Sequence, residues 1–551
     1  MVNNEVYTGA GLSASMIPEL EFDLGALIDE SGKNGTLIAC GPLPSLTITG
    51  SSFDSVKISA GTRIKLVTDL YKGCLATITE RKSDGTDLDT PATAQTLRIK
   101  SNGSNSITFN QEISTTANNR FKIVIHGYGA PLPAPAADDT AIVTSADVWL
   151  GLVNTITPPT VDAELKQINL AMGGTRNFGY QYKAAETLGE ASFDVALNNG
   201  SWLYYALGDM TMAPSALLGT SYEAGDTGTL MTDRFYSHIT ADTANAALHR
   251  VMDDYNGSAT VKRLFPPLAS YPGGGTLTNY QALKKRGSDA GDLTGEYDEI
   301  LYNILENDSG DLPSFALEIN AEKNNVSPYR VDANKESMFT RIYTGCQVNS
   351  LTLNFEEGQE VTASISAMAR KAHDCETNYS PRRGKQDVTD LVNYNGRDTD
   401  DTNPFMFSDG SIKIFGQQMA RVKGGSLAIA NNLTAQRFIG NYDRTITSAH
   451  IAGQRTYDIN LNLLITDRTI WDELRKQNET SDTSTTDELI ELEFTKSTGE
   501  YIKFKFDDYL TTSVDIPFPD DKGALEVALT VSARTLATNG CQYNGNWLIW
   551  G

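Results

Sequence analysis

The sequence predicts a mainly β protein: two tandem β-sandwich or barrel domains, each with one short helix, and a small β-sandwich inserted near the N-terminus. Three observations predict it. In residues 361–370, Val361, Ala363, Ile365, Ala367 and Ala369 alternate with polar or small residues, a period of two that turns one face of a strand to a core. The pattern returns in 525–534 at a constant offset, as Leu525, Val527, Leu529, Val531 and Ala533, and each run closes on an arginine, Arg370 and Arg534. A repeated strand at matched positions is a signature of duplication. Finally, 551 residues exceed what a single core normally serves, so three or four domains are expected.

Further elements repeat in the same order. Residues 193–198 answer 457–462: an aromatic (Phe193, Tyr457), an aspartate (Asp194, Asp458), a β-branched residue, then Leu197 and Asn198 against Leu461 and Asn462. A tryptophan follows each, Trp202 and Trp471, and reads as a short amphipathic helix whose indole packs on the sheet. Upstream, 165–172 parallels 425–430; before the closing strands, 314–320 matches 489–495. Over a hundred residues separate Trp202 from Phe315, against about twenty in the second copy, so the first copy carries a large insertion.

Taken in order, 1–22 is an N-terminal arm or short strand, and 36–128 is an inserted peripheral β-domain. Its short alternating runs at 45–49, 62–67, 96–100 and 121–125 are separated by Gly, Asn and Asp turns. The proline-rich stretch 129–136 is an extended linker. The first core domain spans 145–372 and contains the insertion 210–312, in which 240–252 and 294–305 have helical apolar spacing and cap candidates. A long, largely irregular insertion of this kind suits a contact surface. Residues 373–403 form a polar connector, and 404–551 is the second core domain with a C-terminal tail, 541–551, whose Trp547 and Trp550 need a docking surface.

Composition narrows the function. With 45 basic and 69 acidic residues the net charge is -24, which repels nucleic acid and anionic membrane and argues against tight reading of DNA. An acidic wall past which DNA slides is compatible with that charge; so is simple solubility. Five scattered cysteines without a CxxC indicate neither a disulfide framework nor a zinc ribbon, and suit a reducing compartment. The first residues lack the basic and apolar regions of a signal peptide, and no apolar run is long enough to span a membrane. No catalytic, cofactor-binding or metal-binding constellation stands out. The five histidines lack metal-ligand spacing, no phosphate-binding or nucleophile-elbow motif is present, and Asp84–Thr90 lacks the spacing of a calcium loop. Glu356 and Glu357 read as a hairpin turn. A non-enzymatic, structural or binding role is expected.

Several stretches together resemble the tail tube proteins, or major tail proteins, of long-tailed bacteriophages, in the variant with two tandem tube domains. These are 147–159 with Trp149, Pro158 and Pro159; Glu164–Gln167; 179–193 followed by the Trp202 helix; 312–318; and 343–353. The likeness covers roughly 145–210 and 312–540 and rests on dispersed strand signatures; 36–128 departs from it as an added decoration. The resemblance implies a virion structural protein, assembled in the host cytoplasm, whose subunits close a β-barrel and stack as rings around a lumen for DNA ejection. Two tube domains per chain imply trimeric, pseudo-hexameric rings. Implied partners are further copies of the chain, the tape-measure, tail terminator and baseplate proteins, and DNA in transient, non-specific passage. The insertion 210–312, the arm and the tail would make inter-ring contacts. Glu318, Glu322, Glu491 and Glu493 are candidates for an acidic lumen face. A different class also fits the sequence: a virion-surface or extracellular β-sandwich protein that binds a glycan or receptor through 36–128.

Overall fold

The computed structural model describes residues 151–169, 179–214, 300–307, 312–323, 338–374, 403–414, 417–418, 421–439, 446–447, 449–464, 489–497, 499–515 and 525–545, together with strand 7–19 and the strands of two further sheets. It is mainly β, with one short α-helix among the described residues.

In chain order the central elements are β1 (Tyr7–Glu19), β2 (Leu152–Thr157), β3 (Val161–Ile168), β4 (Tyr180–Leu188), β5 (Glu190–Ala196), α1 (Ser201–Leu207), β6 (Gly208–Pro214), β7 (Ile300–Glu306), β8 (Ser314–Lys323), β9 (Met338–Glu356), β10 (Thr362–Met368) and β11 (Lys371–Asp374). The chain continues with β12 (Gly410–Ile414), β13 (Val422–Ala430), β14 (Thr434–Gln436), β15 (Ala449–Ile451), β16 (Thr456–Leu464), β17 (Ile490–Thr495), β18 (Tyr501–Phe506), β19 (Asp508–Asp515), β20 (Glu526–Thr535) and β21 (Cys541–Gly545).

Eight of these make one continuous antiparallel path, β2-β5-β10-β9-β13-β16-β20-β19. The first four strands precede the last four in sequence, and the two sets follow one plan. β2 pairs with β5 as β13 pairs with β16, β5 with β10 as β16 with β20, and β10 with β9 as β20 with β19. Irregularities recur too. The register slips between Val153 and Thr155 and again between Val422 and Gly424, and between Val348 and Ser350 as between Thr511 and Ser513. A bulge bends a strand and raises its twist, so matched bulges give matched curvature.

This path is one layer of a sandwich. Behind its first half lie β1, β8, the start of β9 and β11; behind its second half lies the sheet β6-β7-β21-β18-β17-β12 with Gln417–Gln418 at its end. The alternation read from the sequence is the reason: Ala363, Ile365 and Ala367 of β10, and Val527, Leu529 and Val531 of β20, are buried between the layers. β9 crosses from one layer to the other. Its first part pairs with β8 and β11, its second with β10 and β13. Gly345, at φ 66°, sits at the crossing, and a Cβ there would lie 2.6 Å from the Cβ of Arg370.

α1 carries Trp202 to the sheet as expected: its ring lies 5.7 Å from Phe193 of β5 and 5.6 Å from Phe315 of β8. Gly208, at φ 110°, ends the helix by donating its N–H to the Tyr204 carbonyl. The corresponding helix near Trp471 lies outside the described residues, as do the linker 129–136, strand 62–67, the connector from 375 to 402 and the tail beyond Gly545.

Several expectations are corrected. The helices expected at 240–252 and 294–305 are not helices where the structure describes them: Leu248–Asp254 and Ile300–Glu306 are strands. Apolar spacing over so short a run fits either period, and here pairing to neighbours on both sides decides it. In β7, Tyr302 and Ile304 are buried two residues apart, with Tyr302 5.7 Å from Tyr543 of β21. The match of 193–198 to 457–462 is also four residues out of step. Phe193 faces Ile365, while the residue facing Leu529, which stands in the place of Ile365, is Leu461. The partner of β13 in the repeat is β2, not the strand from Leu165, which belongs to the hairpin β3-β4.

The arm, from Tyr7 to Glu19, is a strand paired with β8, burying Ala14 and Met16. The first part of the tail is β21, inserted between β7 and β18. The two further sheets are Phe22–Asp23 with strands between Leu46 and Ile125, and a sheet in which strands between Tyr222 and Leu283 pair with Ala26–Asp29, itself paired with Thr36–Ala39.

Candidate functional site

Two features of the eight-strand path stand out: its outward face and its two ends. The outward face is built from the polar partners of the alternating strands. Ser364 and Ser366 of β10, Ser350 and Thr352 of β9, Asn460 and Asn462 of β16 and Thr530 of β20 are partly or fully exposed. Short hydroxyl and amide groups here tie strand to strand. Thr155 and Ser364 donate hydroxyl hydrogen bonds to Asp194 at 2.5 and 2.8 Å, so one carboxylate links β2, β5 and β10. Those bonds, Thr155 first and Ser364 second, hold the Asp194 carboxyl below its ordinary value, and it stays ionised at neutral pH. Ser366 and Asn349 donate to Glu190 in the same way.

Charge on this face is acidic. Glu190, Asp194, Glu356, Asp458, Asp515 and Glu526 alternate with the buried positions of their strands. The cations that reach it among the described residues, Lys423 and Arg534, are each tied to a carboxylate, Glu526 and Asp508. Cations held by carboxylates offer little to a passing phosphate. The sequence-level candidates lie elsewhere. Glu318 and Glu322 are on β8, and Glu491 and Glu493 are on β17, in the second layer. Burial alone would raise the Glu491 carboxyl, but hydrogen bonds from Lys503 and Lys413 hold it below its usual value. Glu493 pairs with Lys503 at 2.6 Å. The sequence does not distinguish these glutamates from Asp194 or Asp458, because alternation shows that a side chain leaves the core without saying which layer it leaves from.

The ends of the path are open. Among the described residues β2 pairs only with β5, and β19 only with β20. Their counterparts in the repeat, β13 and β9, pair with each other in the middle of the path: Ser350 opposes Ala430, Leu351 opposes Ile429 and Thr352 opposes Ala428.

That internal junction is fastened. Asn431, 1 % exposed, donates from Nδ2 to the carbonyls of Ala206 at the end of α1 (2.9 Å) and Val348 in β9 (3.0 Å). Arg455 donates Nε to Asn431 Oδ1 and Nη2 to the Leu207 carbonyl, each at 3.0 Å. Arg370, 3 % exposed, donates Nε to the Thr447 carbonyl at 2.7 Å, while the Thr447 N–H donates back to the Arg370 carbonyl at 3.0 Å. Sequence reading found Arg370 only as the end of a strand; Asn431 and Arg455 carried no signal.

The hairpins β3-β4 and β14-β15 stand at the same place in the two halves. Exposed large apolar side chains gather on them: Leu165, Ile168, Tyr180 and Tyr182 on the first, and Phe438, Ile439 and Ile451 on or beside the second. Arg437 reaches from the second hairpin to the Glu186 carbonyl of the first. No group of three or more metal-ligating side chains occurs among the described residues, and none of their helices is long and apolar enough to cross a membrane.

A family model described as phage tail tube protein matches residues 184–533, well over half the chain, from within β4 to within β20. No curated protein matches the chain.

Proposed function

The chain belongs to the phage tail tube protein family, and is thereby a structural component of the virion tail; from that premise we propose that it carries two tandem tube domains and that three copies close into a ring. One observation carries this reading. The eight-strand path joins two like sets of four strands through β9 and β13 and ends on the counterparts of those same two strands, β19 and β2. An edge strand left open is a template for pairing with another chain. In the register of the internal junction the end of β19 in one copy meets residues 159–161, where the chain leaves β2, in the next, and a head-to-tail contact that closes makes a ring.

In this reading the outward face of the path lines the lumen. Its hydroxyls, amides and carboxylates present DNA with a wetted surface of like charge, so DNA passes without being held. The role is structural, not catalytic. Rings stack into a tube, the exposed apolar residues of the two hairpins meeting the next ring, with the tape-measure protein inside before ejection and the terminator and baseplate proteins at the ends. Assembly takes place in the host cytoplasm. The two further sheets, one between Phe22 and Ile125 and one joining Ala26–Asp29 to strands between Tyr222 and Leu283, decorate the outside.

Electron microscopy of the concentrated full-length protein tests the reading. Stacked rings with an open centre are expected; particles that remain single at all concentrations, with or without tail tips to nucleate them, contradict it. The lumen assignment has its own test. Replacing the exposed Glu356 and Asp458 by Lys leaves rings intact but makes assembled tubes retain DNA in a salt-dependent way; tubes that still ignore DNA would move the lumen to another face.

A further inference from the structure

We propose that Arg534 is the ring-closing counterpart of Arg370, donating from its guanidinium to the backbone carbonyl of Gly179 in the next copy. The inference deepens the ring reading and rests on it.

Arg370 and Arg534 end equivalent strands, and the matched slips beside Val348 and Thr511 place them in equivalent positions in the sheet. Their surroundings differ in one respect. Arg370 is covered by the segment leading into β15, and its Nε meets the Thr447 carbonyl. Arg534 stands at the open end of the path, its side chain 75 % exposed, held only by Asp508 on its own sheet. Nothing else in the described second half takes the place of Thr447 over it. Arg370 of the first half is covered by the hairpin of the half that follows it, and the half that would follow Arg534 in a ring is the first half of the next copy, with its hairpin β3-β4.

The counterpart of Thr447 follows from the register. Thr434 pairs with Ile451 in the second hairpin as Leu165 pairs with Lys183 in the first, and each stands as far from the flanking pair Val422–Leu463 as its counterpart does from Val153–Val195. Thr447 lies four residues before Ile451; four residues before Lys183 is Gly179. The same superposition sets the ladder. Ser350 opposite Ala430 becomes Ser513 opposite Val161 of the next copy. The fastening by Asn431 and Arg455 has no repeat there, since Asp162 and Thr187 occupy those places. Arg534 is therefore the side-chain latch that the intermolecular junction retains, and it makes ring closure more dependent on one residue than the internal junction is.

The test separates the latch from the ring. In the internal junction the Asn431 N–H bonds to the Asn349 carbonyl, so Ser350 and Ala430 form the non-hydrogen-bonded pair, in which Cα atoms approach most closely. Their counterparts suit a disulfide. A mixture of full-length Ser513→Cys and full-length Val161→Cys proteins is oxidised, and the intermolecular disulfide is measured on a non-reducing gel. Cross-linking is expected, and adding Arg534→Ala to the Ser513→Cys chain lowers its yield about tenfold, the worth of a hydrogen bond from a charged donor.

Arg534→Lys does not restore the yield, because an ammonium cannot reproduce a guanidinium Nε contact. Asp508→Ala leaves it unchanged or raises it, which a role confined to the Arg534–Asp508 pair would not allow. Melting curves of the monomers show whether each variant folds. Cross-linking that is indifferent to Arg534 overturns the latch and leaves the ring standing. No cross-link in wild-type background overturns the register and the ring reading with it.

Discussion

Arg370 and His450 sit against each other where the two halves join, and both are buried. Arg370→Ala removes a charged donor from the Thr447 carbonyl inside a dry junction. It should destabilise the protein by about 2–3 kcal/mol in urea unfolding, with no change in the strand content seen by circular dichroism. Burial, with the Arg370 charge second, lowers the His450 imidazole from 6.5 to about 4. Between those values the unfolded chain takes up a proton that the folded chain refuses, so stability falls as pH falls from about 6.5 toward about 4. The loss is on the order of 3 kcal/mol, and His450→Gln should flatten the melting temperature across that window. A melting temperature with the same slope in the variant would assign the pH dependence to other groups.

At the scale of elements, the strand that changes layers and the helix behind the sheet hold the first half together. Gly345 lets β9 cross at φ 66°, against Arg370, and any side chain there meets both strain and the Arg370 stem. Gly345→Ala should therefore lower stability by more than about 2 kcal/mol, measured by the same unfolding curves. Trp202→Ala, which empties the contact with Phe193 and Phe315, should cost about 3–5 kcal/mol.

These elements were legible in the sequence to different degrees. The strands β10 and β20 declared themselves by alternation, and Trp202 by its place after a strand. Ile300–Glu306 did not, since its apolar spacing fits a helix until β21 arrives from over two hundred residues away to pair with it. Phe193-Asp194 and Tyr457-Asp458 are locally alike and suggest an offset between β5 and β16 that the sheet does not keep, because register is set by the neighbour across it. The candidate site was less legible still. Alternation marks a face as polar, but its curvature, its open ends and the fastening at Asn431 are products of pairing between distant segments.

For the whole molecule, the central claim is that both halves belong to one ring wall. Three copies of an eight-strand path would make a wall of twenty-four strands, in which fastened internal junctions alternate with latched intermolecular ones. The alternation has a physical consequence: the internal junctions form with the fold, whereas the intermolecular ones depend on concentration, so dilution should release intact monomers and not halves. On the proposed reading the two further sheets, present once per chain, would mark the true symmetry from outside. The most direct measurement is the rotational symmetry of assembled rings in end-on electron-microscope averages. The account predicts threefold symmetry, with three outer lobes around a near-sixfold inner wall; six equivalent lobes around one ring would contradict it.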